Sequence, residues 1–184
     1  LKPETGRSAE SGMAGRGALV DWSVSLFENR IKNLIGFDSV IFRANNIDSA
    51  RIRGLELQAG ASLAGWRTHA NLTLQDPENR SGRANRGKDL PRRSRESLRL
   101  DMDREFGRLG AGASLLAAGK RYDDLANIEP MDSYVTLDLR GHYRMTGNWI
   151  IQARAENLLD QDYETAAHFN QPGRGLFVTL AYQH

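Results

Sequence analysis

The sequence has no cysteine among its 184 residues, which excludes a disulfide framework and a thiolate metal site. Long hydrophobic runs are also missing. Apolar runs such as "LLAA" at 115–118 are much shorter than a membrane-spanning helix, which needs about 20 apolar residues. The opening "LKPETGRSAESG" contains no apolar segment of the kind found in signal peptides. With a mean hydropathy of −0.55, the chain does not resemble a helical membrane protein.

Patterns typical of metal binding and catalysis are equally scarce. The four histidines, His69, His142, His168 and His184, lie far apart, and none stands at a metal-ligand spacing from another. The glycine-rich segment "GRLGAGASLL" lies within alternating sequence rather than between a strand and a helix, so a phosphate-binding loop is not expected. We therefore predict no enzyme, no metal site and no cofactor.

Alternation of apolar and polar residues dominates the rest of the chain. In the segment that starts at Trp66, for example, Ala70 and Leu72 stand at even positions, whereas Arg67 and Asn71 stand at odd positions. A period of two is typical of β-strands with one apolar and one polar face. The pattern predicts an all-β protein with nine strands, near residues 7–15, 18–31, 49–63, 66–76, 93–104, 108–119, 132–144, 148–160 and 175–183.

Short and long connections alternate between these strands. This regularity predicts a repeated hairpin unit, and hence one antiparallel sheet with no domain boundary. The short turns are predicted near residues 16–17, 64–65, 106–107 and 146–147, and the longer polar segments at 31–48, 76–92, 119–131 and 161–174.

Two architectures fit such a sheet. A soluble β-sandwich, which would act as a binding module, explains alternating strands. An antiparallel transmembrane β-barrel explains them with apolar residues towards lipid and charged residues towards the lumen. The polar face is too strongly charged for a sandwich core, and aromatic residues lie close to the strand ends, so the sequence favours the barrel.

The barrel interpretation assigns a direction to each side chain. The residues predicted to face lipid are Trp22, Trp66, Leu72, Leu137, Leu139, Trp149, Ile151, Leu180 and Tyr182. Those predicted to face the lumen are Asp21, Arg67, Asn71, Arg99, Asp101, Asp138, Arg140, Arg154 and Glu156.

Several motifs follow one another in a characteristic order. "RIKNLIGFD" is followed by "ARIRGLELQA", which carries a Gly-apolar-Glu pattern at Gly54 and Glu56, and "PGRGLFVTLAYQ" comes last. "ENLLDQDYE" matches an Asn-Leu-x-Asp-x-x-Tyr signature through Asn157, Leu158, Asp160 and Tyr163. In this order and spacing, the motifs resemble the C-terminal barrel part of TonB-dependent outer-membrane receptors.

Within that family, "NRIKNLIGFD", "LPRRSR" and "DQDYETAAHFNQPGRG" are most similar to the cobalamin (vitamin B12) transporters. The resemblance implies a receptor that binds a scarce, large nutrient outside the cell and imports it with energy supplied by the TonB complex. Ferric-siderophore receptors share the scaffold and the Asn-Leu-x-Asp signature, so a ferric siderophore is the alternative ligand.

The resemblance also implies parts that are not recognisable here. Such receptors have barrels of about 22 strands with a plugged lumen. We therefore interpret residues 1–184 as the C-terminal portion of the barrel, with the plug domain absent from this chain. The implied partners are the TonB complex (through the missing plug), the remaining barrel strands and the barrel assembly machinery. The implied location is the outer membrane of a Gram-negative bacterium, in contact with its lipid and lipopolysaccharide.

The orientation of the chain in the membrane follows if His184 ends on the periplasmic side, because the long segments then face outside the cell.

The outer loops carry candidate ligand contacts. A corrinoid presents amide groups and a flat apolar face, which suit aromatic and amide side chains. The alternative is that these are ordinary polar loop residues with no ligand. The predicted substrate contacts are Lys120, Arg121, Tyr122, Asp123, His168, Phe169, Asn170 and Gln171. The last strand, which the resemblance implies is read during assembly, carries Leu176, Val178, Leu180, Tyr182 and His184.

The stretch "RSGRANRGKDLPRRSRE" at 80–96 is rich in arginine and lysine. No aromatic residue is interleaved with these charges, so a nucleic-acid partner is not expected. On an outer loop they would face lipopolysaccharide phosphates or an anionic part of a ligand, and a solvated loop without a partner is the alternative.

The glycines of "GRLGAGASLL" are expected to leave room for a neighbouring structure inside the lumen.

Overall fold

A computed structural model of the chain describes residues 1–38, 41–82, 84–145 and 148–182. Among these residues, no helix is long and apolar enough to cross a membrane. The strands are β1 (Thr5–Arg16), β2 (Val20–Asp38), β3 (Arg43–Leu63), β4 (Trp66–Asn79), β5 (Glu96–Phe106), β6 (Leu109–Ala118), β7 (Arg121–Tyr122), β8 (Pro130–Met131), β9 (Tyr134–Arg144), β10 (Trp149–Glu156), β11 (Glu164–Ala166), β12 (Phe169–Asn170) and β13 (Gly175–Tyr182).

Nine of these strands form one antiparallel sheet in the order β1-β2-β3-β4-β5-β6-β9-β10-β13. The remaining four form two small hairpins, β7 with β8 and β11 with β12, inside two of the long connections. The prediction of nine strands in one antiparallel sheet is therefore confirmed. Within the described part of the chain, β1 and β13 each pair on one side only, so the sheet has two edges.

The predicted long connection at 31–48 is wrong. β2 and β3 continue through it as paired strands, from Leu34 opposite Ile47 to Asp38 opposite Arg43. Asn33 adopts a left-handed φ of 54°, which interrupts the pleat and hides the continuing strand from a search for alternation. The predicted strand at 148–160 also runs too far, since β10 ends at Glu156. The predicted turn at 146–147 lies outside the described residues.

The register of the sheet separates the two predicted faces. Residues directly opposite each other in neighbouring strands point to the same side. One row of such partners is Trp22, Ala59, Ala70, Leu100, Leu115 and Leu137. The neighbouring row is Asp21, Gly60, His69, Asp101, Ser114 and Asp138. The apolar and charged sets therefore lie on opposite sides of the sheet, here called the outer face and the inner face.

Aromatic residues gather on the outer face beside the short turns. The rings of Trp66 and Phe106 meet edge to face with centroids 6.3 Å apart, and those of Trp149 and Tyr182 are 5.1 Å apart. The guanidinium of Arg104 lies 5.7 Å from the Trp66 ring centroid and 4.6 Å from that of Phe106. Aromatic rings with an arginine among them are typical of the border between an apolar band and water.

On the inner face, side chains of β9 reach across β6 to β5. Arg140 donates hydrogen bonds to both carboxylate oxygens of Asp103, at 2.8 and 2.7 Å, and passes over Gly112 of β6. His142 lies over Gly110 in the same way. A Cβ atom at either glycine would collide with these side chains. The room that these glycines leave is therefore filled by Arg140 and His142.

Candidate functional site

Three long connections lie together at the end of the sheet opposite the short turns. Their described residues are 80–82, 84–95, 119–133 and 157–174, and we call them the crown. The crown is seated on a small apolar cluster, in which Ala50 and Ile52 of β3 pack with Leu90 and Leu125 from the first two connections. Ala50 and Ile52 belong to the inner face by the alternation of β3, so the crown folds over that face.

The first two connections are joined around Asn127. Its side chain accepts a hydrogen bond from the backbone N–H of Asp89 at 2.8 Å and donates to the Asp89 carbonyl at 3.0 Å. Lys88 donates from Nζ to the carbonyl of Ala126 at 2.7 Å. Asn127 has a left-handed φ of 53°, which asparagine tolerates better than most residues. These bonds hold the two connections together.

Asp123 ties all three parts of the crown. Its side chain is 3% exposed and accepts two hydrogen bonds from Arg92, at 2.6 and 3.1 Å. It also accepts the backbone N–H of Ala167 at 3.0 Å. Burial acts to raise the pKa of the Asp123 carboxyl, but the hydrogen bonds from Arg92 and the Ala167 amide, together with the charge of Arg92, outweigh it. The pKa of Asp123 therefore lies below its usual range, and the residue is a carboxylate at neutral pH.

Arg121 binds the backbone of the third connection. Its guanidinium donates to the carbonyl of Glu164 and lies 5.2 Å from the centroid of the Tyr134 ring. Tyr134 in turn stacks on Tyr163, with centroids 4.3 Å apart. Burial raises the pKa of the Tyr163 hydroxyl. An arginine packed on aromatic rings in this way is fixed in place, as is the backbone that it binds.

The Asn-Leu-Leu-Asp segment closes the base of the third connection. Asn157 is 5% exposed; its side chain accepts the N–H of Gln161 at 3.0 Å and donates to the carbonyl of Pro172 at 3.3 Å. The carboxylate of Asp160 accepts from the backbone and guanidinium of Arg174, at 2.9 and 3.1 Å. The backbone N–H and charge of Arg174 lower the pKa of Asp160. The signature thus joins the two ends of this connection.

The predicted substrate contacts divide into two groups. Arg121 and Asp123 are buried and have partners inside the crown, as described above. The others lie at the surface or are half-buried: Lys120, Tyr122, His168, Phe169, Asn170 and Gln171. Phe169 is 61% exposed at the start of β12, and His168 lies 2.9 Å from a carboxylate oxygen of Glu129. Contact of any of these residues with a ligand stays a prediction.

Sequence reasoning placed Asp124 beside Tyr122 and Asp123 as a candidate for ligand contact and missed its structural role. Its buried carboxylate accepts the backbone N–H groups of Ala126, Ile128 and Glu129 at 2.8 to 3.0 Å. This arrangement builds the turn between β7 and β8. The only available signal was an aspartate near the start of a polar loop, where its side chain commonly binds backbone ahead of it.

Three arginines of the basic stretch at 80–96 are paired with carboxylates of the protein itself. Arg92 pairs with Asp123, Arg95 with Asp89, and Arg80 with Glu78. Arg83 lies outside the described residues. Fewer of these charges are thus available to an external anion than the sequence suggested.

The last strand runs beside β10. Leu176, Val178, Leu180 and Tyr182 pair with Ala155, Ala153, Ile151 and Trp149 on the outer face. His184 lies outside the described residues. Among the residues that the structure describes, no group of three His, Asp or Glu side chains could hold a metal ion.

Comparison with known proteins identifies the scaffold. Residues 1–158 match the family described as "TonB dependent receptor-like, beta-barrel". The vitamin B12 transporter BtuB of Photobacterium profundum is 28% identical over 190 residues, which cover 100% of this chain and 31% of that protein. The chain thus spans about a third of the length of this relative.

Solved structures show the same fold at lower identity. BauA, the ferric preacinetobactin receptor of Acinetobacter baumannii, matches with a TM-score of 0.79 at 18% identity, over 99% of this chain and 30% of that chain. The copper transporter OprC matches with a TM-score of 0.75 at 23% identity, over 98% and 31%. The nine-stranded sheet is therefore a partial barrel, and the chain belongs to the TonB-dependent receptor β-barrel family.

Proposed function

We propose that this chain is the C-terminal barrel portion of an outer-membrane receptor that binds cobalamin outside the cell and imports it with energy from the TonB complex. The observation that carries the proposal is the match of the whole chain to vitamin B12 transporters. The proposed partners are the remaining barrel strands at the edges of β1 and β13, a plug domain that contacts TonB, and the barrel assembly machinery, which would read the last strand.

The dimensions of the outer face support a position in the outer membrane of a Gram-negative bacterium. On β4 the outer residues from Trp66 to Leu74 are uncharged and mostly apolar, and they span about 27 Å along the strand at about 3.4 Å per residue. At a typical barrel tilt of about 45° this is about 20 Å of height, close to the about 25 Å apolar band of such barrels. Above Leu74 the outer residues are Asp76 and Glu78, so the band ends there.

The crown suits a ligand site because buried side chains fix its loops in place while aromatic and amide side chains are exposed at its surface. Asp123 and Arg121 hold the third connection in place, and Phe169 and Asn170 are exposed at its tip. An exposed aromatic ring beside an amide suits the flat apolar face and amide groups of a corrinoid. We propose that Phe169 and Asn170 contact the ligand directly, together with Lys120, Tyr122, His168 and Gln171, and that Arg121 and Asp123 position them.

Titration of the complete receptor with cyanocobalamin tests this proposal. Replacement of Phe169 by alanine is expected to weaken binding by about tenfold, since it removes an apolar contact worth about 1.5 kcal/mol. Leu159→Ala is the matched control, because Leu159 is 55% exposed in the turn at the base of the same connection. If both variants bind cyanocobalamin as tightly as the parent protein does, Phe169 is not part of the binding site.

A ferric siderophore is the second candidate ligand. It is favoured by the fold similarity to the ferric preacinetobactin receptor, and by the arginine and aromatic side chains of the crown. Titration with a panel of ferric siderophores distinguishes the candidates. Binding of an iron chelate without any binding of cyanocobalamin would retain the barrel and replace the substrate.

A further inference from the structure

The β2–β3 hairpin extends past the end of β4 and lies against the crown. The last paired residues of the hairpin run from Leu34 opposite Ile47 to Asp38 opposite Arg43. Leu34 and Ile47 are buried, and they pack in one cluster with Leu90 of the first connection. The base of this extension is therefore held against the crown by apolar contacts.

The tip of the extension exposes large apolar side chains. Phe42 is 75% exposed, and Ile35 and Ile41 are exposed as well. Phe42 also has a left-handed φ of 50°, which is unfavourable for a bulky side chain. Backbone strain of this kind concentrates at functional sites, and exposed apolar side chains that lie close together mark surfaces that bind a partner. Both features indicate that the tip binds a ligand.

Phe37 connects this tip to the crown. Its ring meets that of Phe42 edge to face, with centroids 5.2 Å apart. The guanidinium of Arg92 lies 5.2 Å from the centroid of the Phe37 ring. The same guanidinium donates hydrogen bonds to both carboxylate oxygens of Asp123, which also accepts the backbone N–H of Ala167. Side-chain contacts thus run without a break from Phe42 to the third connection.

Arg92 is suited to hold two such elements together. A guanidinium packs an aromatic ring against its flat face and donates hydrogen bonds from its edge. The contact with Phe37 and the ion pair with Asp123 can therefore form at the same time. The backbone N–H of Arg92 is fixed as well, since it donates to the carbonyl of Tyr122 at 2.6 Å. Arg92 therefore sets the position of the hairpin tip relative to the third connection.

We propose that Phe42 is a second aromatic contact of the transported ligand, and that Phe37 and Arg92 position it relative to Phe169. Several side chains separate Phe42 from Phe169, so only a large ligand reaches both rings. A corrinoid has a broad, flat apolar surface, which aromatic side chains bind well. The inference rests on the proposed function, and it extends the ligand site from the crown to the β2–β3 hairpin.

Titration of the complete receptor with cyanocobalamin tests the second contact. Phe42→Ala is expected to weaken binding by about tenfold, as Phe169→Ala does, because each substitution removes one apolar contact. Since the two rings contact separate parts of the ligand, the losses should multiply to about 100-fold in the double variant. Phe106→Ala is the matched control, because Phe106 is an exposed phenylalanine beside a short turn at the other end of the sheet.

Phe37→Leu and Phe37→Tyr test the positioning role. Leucine removes the ring against which Arg92 packs, whereas tyrosine retains it. We expect Phe37→Leu to weaken cyanocobalamin binding by about two- to fivefold, the equivalent of one exposed cation–π contact, and to speed hydrogen exchange at residues 164–170. Phe37→Tyr should restore both the affinity and the exchange protection. If the leucine and tyrosine variants behave alike, Arg92 does not position the hairpin through Phe37.

The parent receptor distinguishes failure of this inference from failure of the proposed function. If the parent receptor does not bind cyanocobalamin, the proposed ligand is refuted, and the role of Phe42 with it. If the parent receptor binds cyanocobalamin and Phe42→Ala binds it equally tightly, only the second contact is refuted. An equal loss in Phe42→Ala and Phe106→Ala would also refute it, because the effect would not depend on the hairpin.

Discussion

Replacement of Asp123 by asparagine should loosen the crown without unfolding the barrel. The substitution keeps the shape of the side chain but removes the charge that faces Arg92, and it weakens the acceptor of the Ala167 N–H. Breaking a fully buried ion pair from one side costs about 3–5 kcal/mol. Since the Arg92 side chain is 33% exposed, water can replace part of the lost interaction. We therefore expect the substitution to destabilise the crown by about 2–3 kcal/mol, which is in the range found for hydrogen bonds to charged groups.

Hydrogen exchange of the complete receptor measures this cost locally. A loss of 2–3 kcal/mol corresponds to crown opening that is about 30- to 150-fold more frequent. The amides of residues 164–170 should lose protection by that factor, whereas those of β3 and β4 should not change. Asp162→Asn is the matched control, because Asp162 is an exposed aspartate in the third connection, next to the amides that are measured. Unchanged protection at Ala167 in the Asp123 variant would refute the argument that Asp123 holds the three connections together.

Three further predictions concern acid, the inner face and the aromatic stack. Because the pKa values of Asp123 and Asp160 are lower in the folded crown than the ordinary value of about 3.9, their stabilisation is complete above that value. This stabilisation is lost as the pH falls through the lowered pKa values of the folded state. Exchange protection of the crown should therefore stay constant from pH 8 to pH 5 and decrease below about pH 4. Gly112→Ala should destabilise the barrel by about 1–3 kcal/mol in urea unfolding, since its Cβ would lie 2.8 Å from Nε of Arg140 and 2.9 Å from the Met102 carbonyl. Gly60→Ala, with no atom within 4 Å of its Cβ, should change little, and equal effects would contradict the packing argument. Tyr134→Leu should release the third connection through loss of the stack on Tyr163, seen as faster proteolysis between residues 161 and 174, whereas Tyr143→Leu on the outer face should not.

Strand number, pairing and the separation of faces were all predictable from the sequence. A period of two in side-chain character requires no knowledge of distant contacts, because it reflects the local geometry of an extended chain. The aromatic border at Trp66 and Trp149 was visible for the same reason. The failure at 31–48 has a local cause as well. The left-handed Asn33 breaks the alternation, although β2 and β3 remain paired beyond it.

The Asn-Leu-Leu-Asp signature was recognised as a motif, but only the fold explains it. Asn157 and Asp160 join residues that lie 4 to 15 positions away along the chain. Nothing in the local pattern indicates which amide or carbonyl each side chain will bind.

The sequence by itself determined that the chain forms an antiparallel sheet with an apolar and a charged face, because alternation is encoded residue by residue. Only the tertiary structure decided which charged residues are structural. Asp123 meets Arg92 and Ala167 across separations of 31 and 44 residues, and Arg7 meets Arg30 and Arg51 only through the register of three strands. Two exposed-looking residues of the predicted site, Arg121 and Asp123, are thus buried by the connections that they hold together. Burial depends on contacts between distant segments, and composition cannot specify those contacts.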